Sequence, residues 1–175
     1  LTFLDVAWNE ELTDAGMAHL PRGLKGLVLL FNKRLTDAGV AALPPALTHF
    51  DLTHNYLLTD KAVGALPRTL RTLNLGSSRS FTSKSTALLP PTLTKLELSR
   101  SHLITDDAIA HIPRTVTYLD LMFNQNLSDL AVPAIPRGVT HLALTGARKL
   151  TNRAIADLPR SLTYLDIKMA KISDE

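Results

Sequence analysis

The sequence predicts an α/β solenoid, a right-handed superhelix with a parallel sheet on its concave face and short helices on its convex face. Three observations carry that expectation. Aliphatic residues recur every 23 positions, at Leu1, Leu24, Leu47, Leu70, Leu93, Val116, Val139 and Leu162. The first half of each unit alternates apolar and polar residues with a period of two, the pattern of a strand with one buried face. The second half opens on a capping hydroxyl and closes on a proline, the punctuation of a short helix. A fixed period of this length means stacked units, because one unit cannot bury its own apolar face.

The strand comes first in each unit. Its buried residues are the fourth position (Leu4, Leu27, Phe50, Leu73, Leu96, Leu119, Leu142, Leu165) and the sixth (Val6, Leu29, Leu52, Leu75, Leu98, Leu121, Leu144, Ile167). The ninth position holds Asn9, Asn32, Asn55 and Asn124, replaced by Ser78, Ser101, Ala147 and Ala170 elsewhere. An asparagine there suits a tight turn, because its amide can satisfy backbone groups of neighbouring coils.

The helix follows. Thr13, Thr36, Thr59, Thr82, Thr105, Ser128 and Thr151 stand where an N-cap is needed. Asp14, Asp37, Asp60, Asp106 and Asp129 come next, at the positive end of the helix dipole. Met17, Val40, Val63, Thr86, Ile109, Val132 and Ile155 are expected to face inward. Pro21, Pro44, Pro67, Pro90, Pro113, Pro136 and Pro159 are expected to stop the helices. The fourth unit departs from the pattern: it has Ser78 for the asparagine and Ser83 for the acid, gathers Arg71, Arg79 and Lys84, and reads as a locally weakened coil that is a bend, a hinge or a contact point for an acidic partner.

Composition agrees with a packed domain. The 175 residues are 45% hydrophobic and 20% charged, which excludes a disordered acidic tail or a low-complexity linker. Cysteine is absent, which excludes disulfide staples, thiolate metal sites and thiol catalysis. A net charge of +3 falls well short of the clustered charge of a dedicated nucleic-acid binder. No apolar run approaches the ~18 residues of a membrane span, and no leader is visible at the start. Residues 1–175 read as one domain of about seven and a half units without visible caps, expected to be part of a longer protein or to self-associate end to end.

The pattern LxxLxLxxN, followed by LTD and a helix, resembles leucine-rich repeats along the whole chain. The stretch NxxLTDAGxAxL is similar to the cysteine-containing type found beside F-boxes and in bacterial effectors, with Asn where that type often has Cys. The stretch LPxxLxxLxL, from Leu43 to Leu52, is also similar to effector repeats and to the FNIP repeats of amoebae. The resemblance implies target selection in a ubiquitin-ligase or effector setting. It places the chain in the cytoplasm, with secretion as an effector as the alternative.

A partner would meet the strand positions that the core does not use. Phe3, Trp8, Phe31, Tyr118, Phe123 and Tyr164 fall on them, leaving few of the nine aromatic residues for the interior. Exposed rings are typical of binding hot spots. They form an N-terminal group (Phe3, Trp8, Phe31) and, with two methionines, a C-terminal group (Tyr118, Met122, Phe123, Tyr164, Met169), with a stripe of Asp5, Asp51, Glu97, Asp120 and Asp166 expected between the groups. His49 and His54 project from the same face. Two structural alternatives stand beside this reading: the eighth-position rings could pack over the edge of the core, and the acids could simply keep an exposed sheet soluble.

A catalytic search finds only the His49–Asp51 pair, which has no placed nucleophile. No phosphate loop or HExxH pair is present. The N-terminal Asp ladder has a capping role, so no metal or other cofactor is expected. The arginines after the prolines (Arg22, Arg68, Arg114, Arg137, Arg160) read as a solvated convex edge, with nucleic acid as an unlikely ligand. The expected function is non-catalytic: a protein or peptide bound on the concave sheet. The alternative is a structural arm that spaces or oligomerises a larger protein.

Overall fold

The computed structural model describes residues 1–173. Asp174 and Glu175, read from sequence as the approach to a further helix, lie outside the described residues.

Eight three-residue strands form one parallel sheet in chain order: β1 (Phe3–Asp5), β2 (Gly26–Val28), β3 (His49–Asp51), β4 (Thr72–Asn74), β5 (Lys95–Glu97), β6 (Tyr118–Asp120), β7 (His141–Ala143) and β8 (Tyr164–Asp166). The register never slips. Leu4 stands opposite Leu27, Leu27 opposite Phe50, and so on to Leu142 opposite Leu165. Equal unit length causes this: each residue meets the residue one period away, so every unit position becomes a row across the sheet.

Opposite the sheet run α1 (Asp14–Met17), α2 (Asp37–Ala41), α3 (Asp60–Gly64), α4 (Ser83–Thr86), α5 (Asp106–Ile109) and α6 (Asn152–Ala156). The sixth unit has a 3-10 turn instead, Asp129–Ala134, with Pro133 inside it. Pro133 lacks the N–H that an α-helical turn would need there. The helices end three or four residues before their prolines. Those prolines shape the turn back to the sheet, where Pro21 O and Pro44 O accept Leu24 N and Leu47 N.

Between sheet and helices lies one apolar core. Leu24, Leu27, Leu29, Leu52, Leu75, Leu98 and Leu121 are buried, as are Phe50 and Phe81. Phe81 fills the slot that Leu35 and Leu58 fill in other coils. Ile155, expected to face inward, is 43% exposed, because among the described residues no helix follows α6 to pack over it.

Helices of four or five residues cannot stand alone. Bonds from coil to coil hold them. The acid after each capping residue reaches forward to the next cap: Asp37 Oδ1 accepts Thr59 N at 2.8 Å and Asp37 Oδ2 accepts Thr59 Oγ1 at 2.7 Å. The same clasp joins Asp14 to Thr36, Asp60 to Thr82, Asp106 to Ser128 and Asp129 to Thr151. In the fourth unit Ser83 substitutes a single oxygen, bonded to Thr105 N and Oγ1. The sequence reading gave these acids a dipole and capping role at their own helix and missed the bond to the next coil. The fourth unit also keeps full strand pairing on both sides, so no bend in register occurs there.

Candidate binding face of the sheet

Uniform register arranges the outward side chains in rows. Third-position residues make one row, fifth-position residues a second, and eighth-position residues a third at the turn. Phe3, Trp8 and Tyr164 are exposed, whereas Phe31, His54, Tyr118, Met122 and Phe123 are half-buried. His49 is exposed.

The eighth-position row has a backbone feature the sequence reading missed. Trp8, Phe31, His54, Ser77, Arg100, Phe123 and Met169 all have φ between +56° and +64°, and Gly146 has φ +81°. Bulky residues rarely adopt this left-handed conformation, which costs roughly 1–2 kcal/mol each. Stacking offsets part of that cost. Trp8 lies 4.2 Å from Phe31 and Phe31 lies 4.2 Å from His54, both nearly parallel. Tyr56 stands edge-on to Phe31, and Arg79 covers Tyr56 at 4.9 Å. Farther along, Arg100 covers Phe123 at 4.8 Å. A side chain at Gly146 would come 2.6 Å from the Phe123 ring, so the small residue leaves that ring its place.

A second stack runs along the third-position row. Lys95 Nζ lies 4.5 Å from the Tyr118 ring centre, Tyr118 lies 5.9 Å from His141, and His141 lies 5.8 Å from Tyr164. Phe3 lies over Gly26, where a side chain would collide with it. The sequence reading chose Tyr118 and Tyr164 but not Lys95, His141, Tyr56, Arg79 or Arg100. For His141 and Lys95, a spacing of 23 residues from the chosen rings was the available signal.

The acids also have a position different from the one expected. They run as a row between the two ring rows, not between an N-terminal and a C-terminal group, because equal unit positions line up across the sheet. Most of them close a turn. Asp5 Oδ1 accepts Ala7 N at 2.9 Å, Asp51 Oδ1 accepts Thr53 N at 2.8 Å, and Asp120 Oδ1 accepts Met122 N at 2.8 Å. Asn74 does the same for Gly76. Glu97 pairs with Lys95 at 2.7 Å and accepts Asn74 Nδ2 at 2.7 Å.

Electrostatics separate these acids. Burial, helped by the nearby Glu97 charge, pushes the Asp120 carboxyl above the usual range. The Thr145 hydroxyl holds Asp166 below it. The hydrogen bond to Glu97 raises Lys95. Burial lowers His54, and Arg100 lowers it further.

His49 and Asp51 turn to different partners: His49 Nδ1 lies 2.8 Å from Thr48 Oγ1, and Asp51 binds the Thr53 hydroxyl. Among the described residues, no group of three or more His, Asp or Glu could hold a metal ion. On the convex side, Arg68 donates to Leu88 O and Leu89 O, and Arg137 to Asp157 O. These two arginines cover helix ends, a role in keeping with the local dipole.

Two shallow grooves open on the sheet face. One of about 330 Å³ is lined by Tyr118, His141, Tyr164 and Ala143 above the buried Leu119 and Leu142. Another of about 200 Å³ lies near Phe3, His49, Asp51 and Lys95.

Fold and face together define a stacked-coil scaffold whose sheet presents rows of side chains to solvent. The family model described as Leucine Rich repeat matches residues 1–20 and 113–135. Solved structures share the architecture over nearly the whole chain. LegL7, a leucine-rich repeat-containing protein from Legionella pneumophila, is 21% identical with a TM-score of 0.66, covering 97% of this chain and 66% of that one. An internalin from Listeria monocytogenes is 22% identical with a TM-score of 0.73, covering 99% of this chain and 50% of that one. TLR13, solved in complex with ssRNA13, is 22% identical with a TM-score of 0.73, covering all of this chain and 26% of that one. No curated protein matches the sequence. The chain has the fold of these leucine-rich repeat structures and spans 66%, 50% and 26% of their lengths.

Proposed function

We propose that the chain recognises a protein or peptide, without catalysis, on the outward face of its sheet. The observation that carries this reading is the exposure of large rings there: Trp8 is 64% exposed, Phe3 56% and Tyr164 52%. Rings left in water are costly on a face with no partner, and they are the side chains that dominate protein interfaces. The acid row between them favours a partner with basic groups. The sequence resemblance to F-box-linked and bacterial-effector repeats supports a ligase or effector setting for that recognition.

The structural-arm reading draws on one observation of its own: the ring stacks are satisfied internally and stiffen the coils. The two readings separate experimentally. Peptides are selected from a displayed random library against the unmodified chain, then measured on Trp8→Ala and Tyr164→Ala. Recognition at this face predicts at least a tenfold loss of affinity with the far-ultraviolet circular dichroism unchanged. Binders indifferent to both substitutions would leave the structural arm as the better account.

A further inference from the structure

The fifth-position row has a gap at Ala143. Strand pairing sets Asp120 opposite Ala143 on one side and Asp166 opposite it on the other. Between two carboxylates stands only a methyl group. The groove of about 330 Å³ opens at this point, walled by the Tyr118, His141 and Tyr164 rings.

In the middle of the row the acids are occupied. Glu97 spends one oxygen on Lys95 and the other on Asn74. Asp51 binds Thr53 and is touched by Asn74 at 3.4 Å. Asp120 uses Oδ1 on Met122 N, and its other oxygen has no hydrogen-bond partner among the described residues. Asp166 uses Oδ1 on Thr145 and Lys168 N. Its Oδ2 meets only the Lys168 ammonium, at 3.5 Å, and that side chain is 79% exposed. An exposed pair of that kind is weak and easily displaced.

We propose that the Ala143 notch is a socket for an arginine side chain of the partner, its guanidinium bridging Asp120 and Asp166. The partner belongs to the sheet-face reading above; the socket chemistry is a separate claim. Strands two apart are separated by ~10 Å. A planar five-donor guanidinium, with a hydrogen bond of ~2.9 Å on each flank, is suited to closing such a gap. A lysine ammonium is a compact point charge that reaches one carboxylate at a time. The arginine stem packs along the ring wall while its head stays with the acids. Lys168 holds one of those acids until the ligand arrives. Asp120, desolvated and reached by Lys95 only through a longer-range attraction without an ion-pair contact, gains most from the new charge.

The test uses small probes: N-acetyl-arginine amide, its neutral isostere N-acetyl-citrulline amide, and N-acetyl-lysine amide. Each is titrated into the isotope-labelled chain and followed by NMR. The arginine probe is expected to give saturable millimolar shifts at the Ala143 methyl and the His141 and Tyr164 rings. Citrulline should give none, and lysine should bind several-fold more weakly. Ala143→Leu should abolish the shifts. That substitution suits the strand, since Val28 and Glu97 hold the equivalent position in other coils. Asp120→Asn with Asp166→Asn should weaken binding about tenfold. Lys168→Met should tighten it by roughly two- to fivefold.

Equal response to arginine and citrulline, shifts elsewhere, or shifts that survive Ala143→Leu would overturn the socket. An equal response to lysine would overturn the guanidinium assignment. No partner protein enters the titration, so a negative result leaves the sheet-face reading to its own test with Trp8→Ala and Tyr164→Ala.

Discussion

At the scale of single residues, Asp120 and Asp129 show one side chain type doing opposite things for stability. The Asp129 carboxylate is held low by the Thr151 hydroxyl and N–H, the clasp that joins two coils. A depressed carboxyl stabilises the fold above its unfolded pKa of about 3.9 and loses that contribution as pH falls through the folded value. Asp129→Ala is therefore expected to lower stability at pH 7 by about 1–3 kcal/mol, by leaving Thr151 without its acceptors. The deficit should shrink in acid, and urea unfolding across pH checks both. Asp120 is raised, chiefly by burial. Its charged form opposes folding at neutral pH, and that penalty disappears as pH falls below the unfolded value. Asp120→Asn keeps an acceptor for Met122 N and removes the charge. It is expected to stabilise the chain at pH 7 and to be neutral near pH 3. A destabilised variant at pH 7 would contradict the burial argument. Sequence could place both acids in their rows. It could not distinguish them, because burial and an inter-coil hydroxyl partner exist only in the stack.

At the scale of elements, the strands and helices were legible and the turn between them was not. Leucine spacing placed the strands, although each ends at the fifth position, before the sixth residue expected within it, and the hydroxyl–acid pairs gave the helix starts. The left-handed turn was invisible because its occupants, Trp8, Phe31, Arg100 and Phe123, are residues that ordinarily avoid that conformation. Gly146 was the one direct clue. Ring stacking from coil to coil resolves the conflict, and it predicts that the row will respond unevenly to glycine. Ser77 has φ +56° and no ring. Ser77→Gly should relieve strain of roughly 1–2 kcal/mol against an entropic loss of about 0.5–1 kcal/mol, a small net gain. Phe31→Gly relieves the same strain but removes a ring stacked on both Trp8 and His54. It should be clearly destabilising. Thermal midpoints of the two variants test this, and a stabilised Phe31→Gly would refute the stacking account. The turn at Asp129–Ala134 is a second case: Pro133, three residues before the terminal Pro136, lacks the N–H of an α-helical turn and sets the 3-10 geometry.

At the scale of the whole molecule, each coil touches only its neighbours, so stability is a chain of joints and the weakest joint decides how the chain opens. Two devices fasten every good joint on the polar side. One is the acid–hydroxyl clasp. The other is the ninth-position amide: Asn55 Oδ1 accepts Asn32 N and Asn55 Nδ2 donates to Leu29 O, and Asn124 does the same for Ser101 N and Leu98 O. Around the fourth unit both devices weaken. Ser78 and Ser101 are too short to reach back, and their hydroxyls are buried without a partner among the described residues. Ser83 offers one oxygen where Asp offers two. The sequence reading placed a weakness here and misjudged its form: pairing is continuous, and the fault lies in the side-chain fasteners between coils. Restoring them should show in cooperativity as well as in stability. Ser78→Asn with Ser101→Asn would offer acceptors to Asn55 N and Ser78 N and donors to Leu52 O and Leu75 O. Val6 O already accepts two such amides, from Asn9 and Asn32, so the geometry has a precedent in this chain. At about 1 kcal/mol for each restored amide, the double variant should gain about 2 kcal/mol. Its amide hydrogens at Leu75 and Leu98 should exchange more slowly, and its urea transition should sharpen as the two halves come to unfold together. Unchanged exchange at those amides, with an unchanged midpoint, would show that the sheet alone fastens the middle of the solenoid.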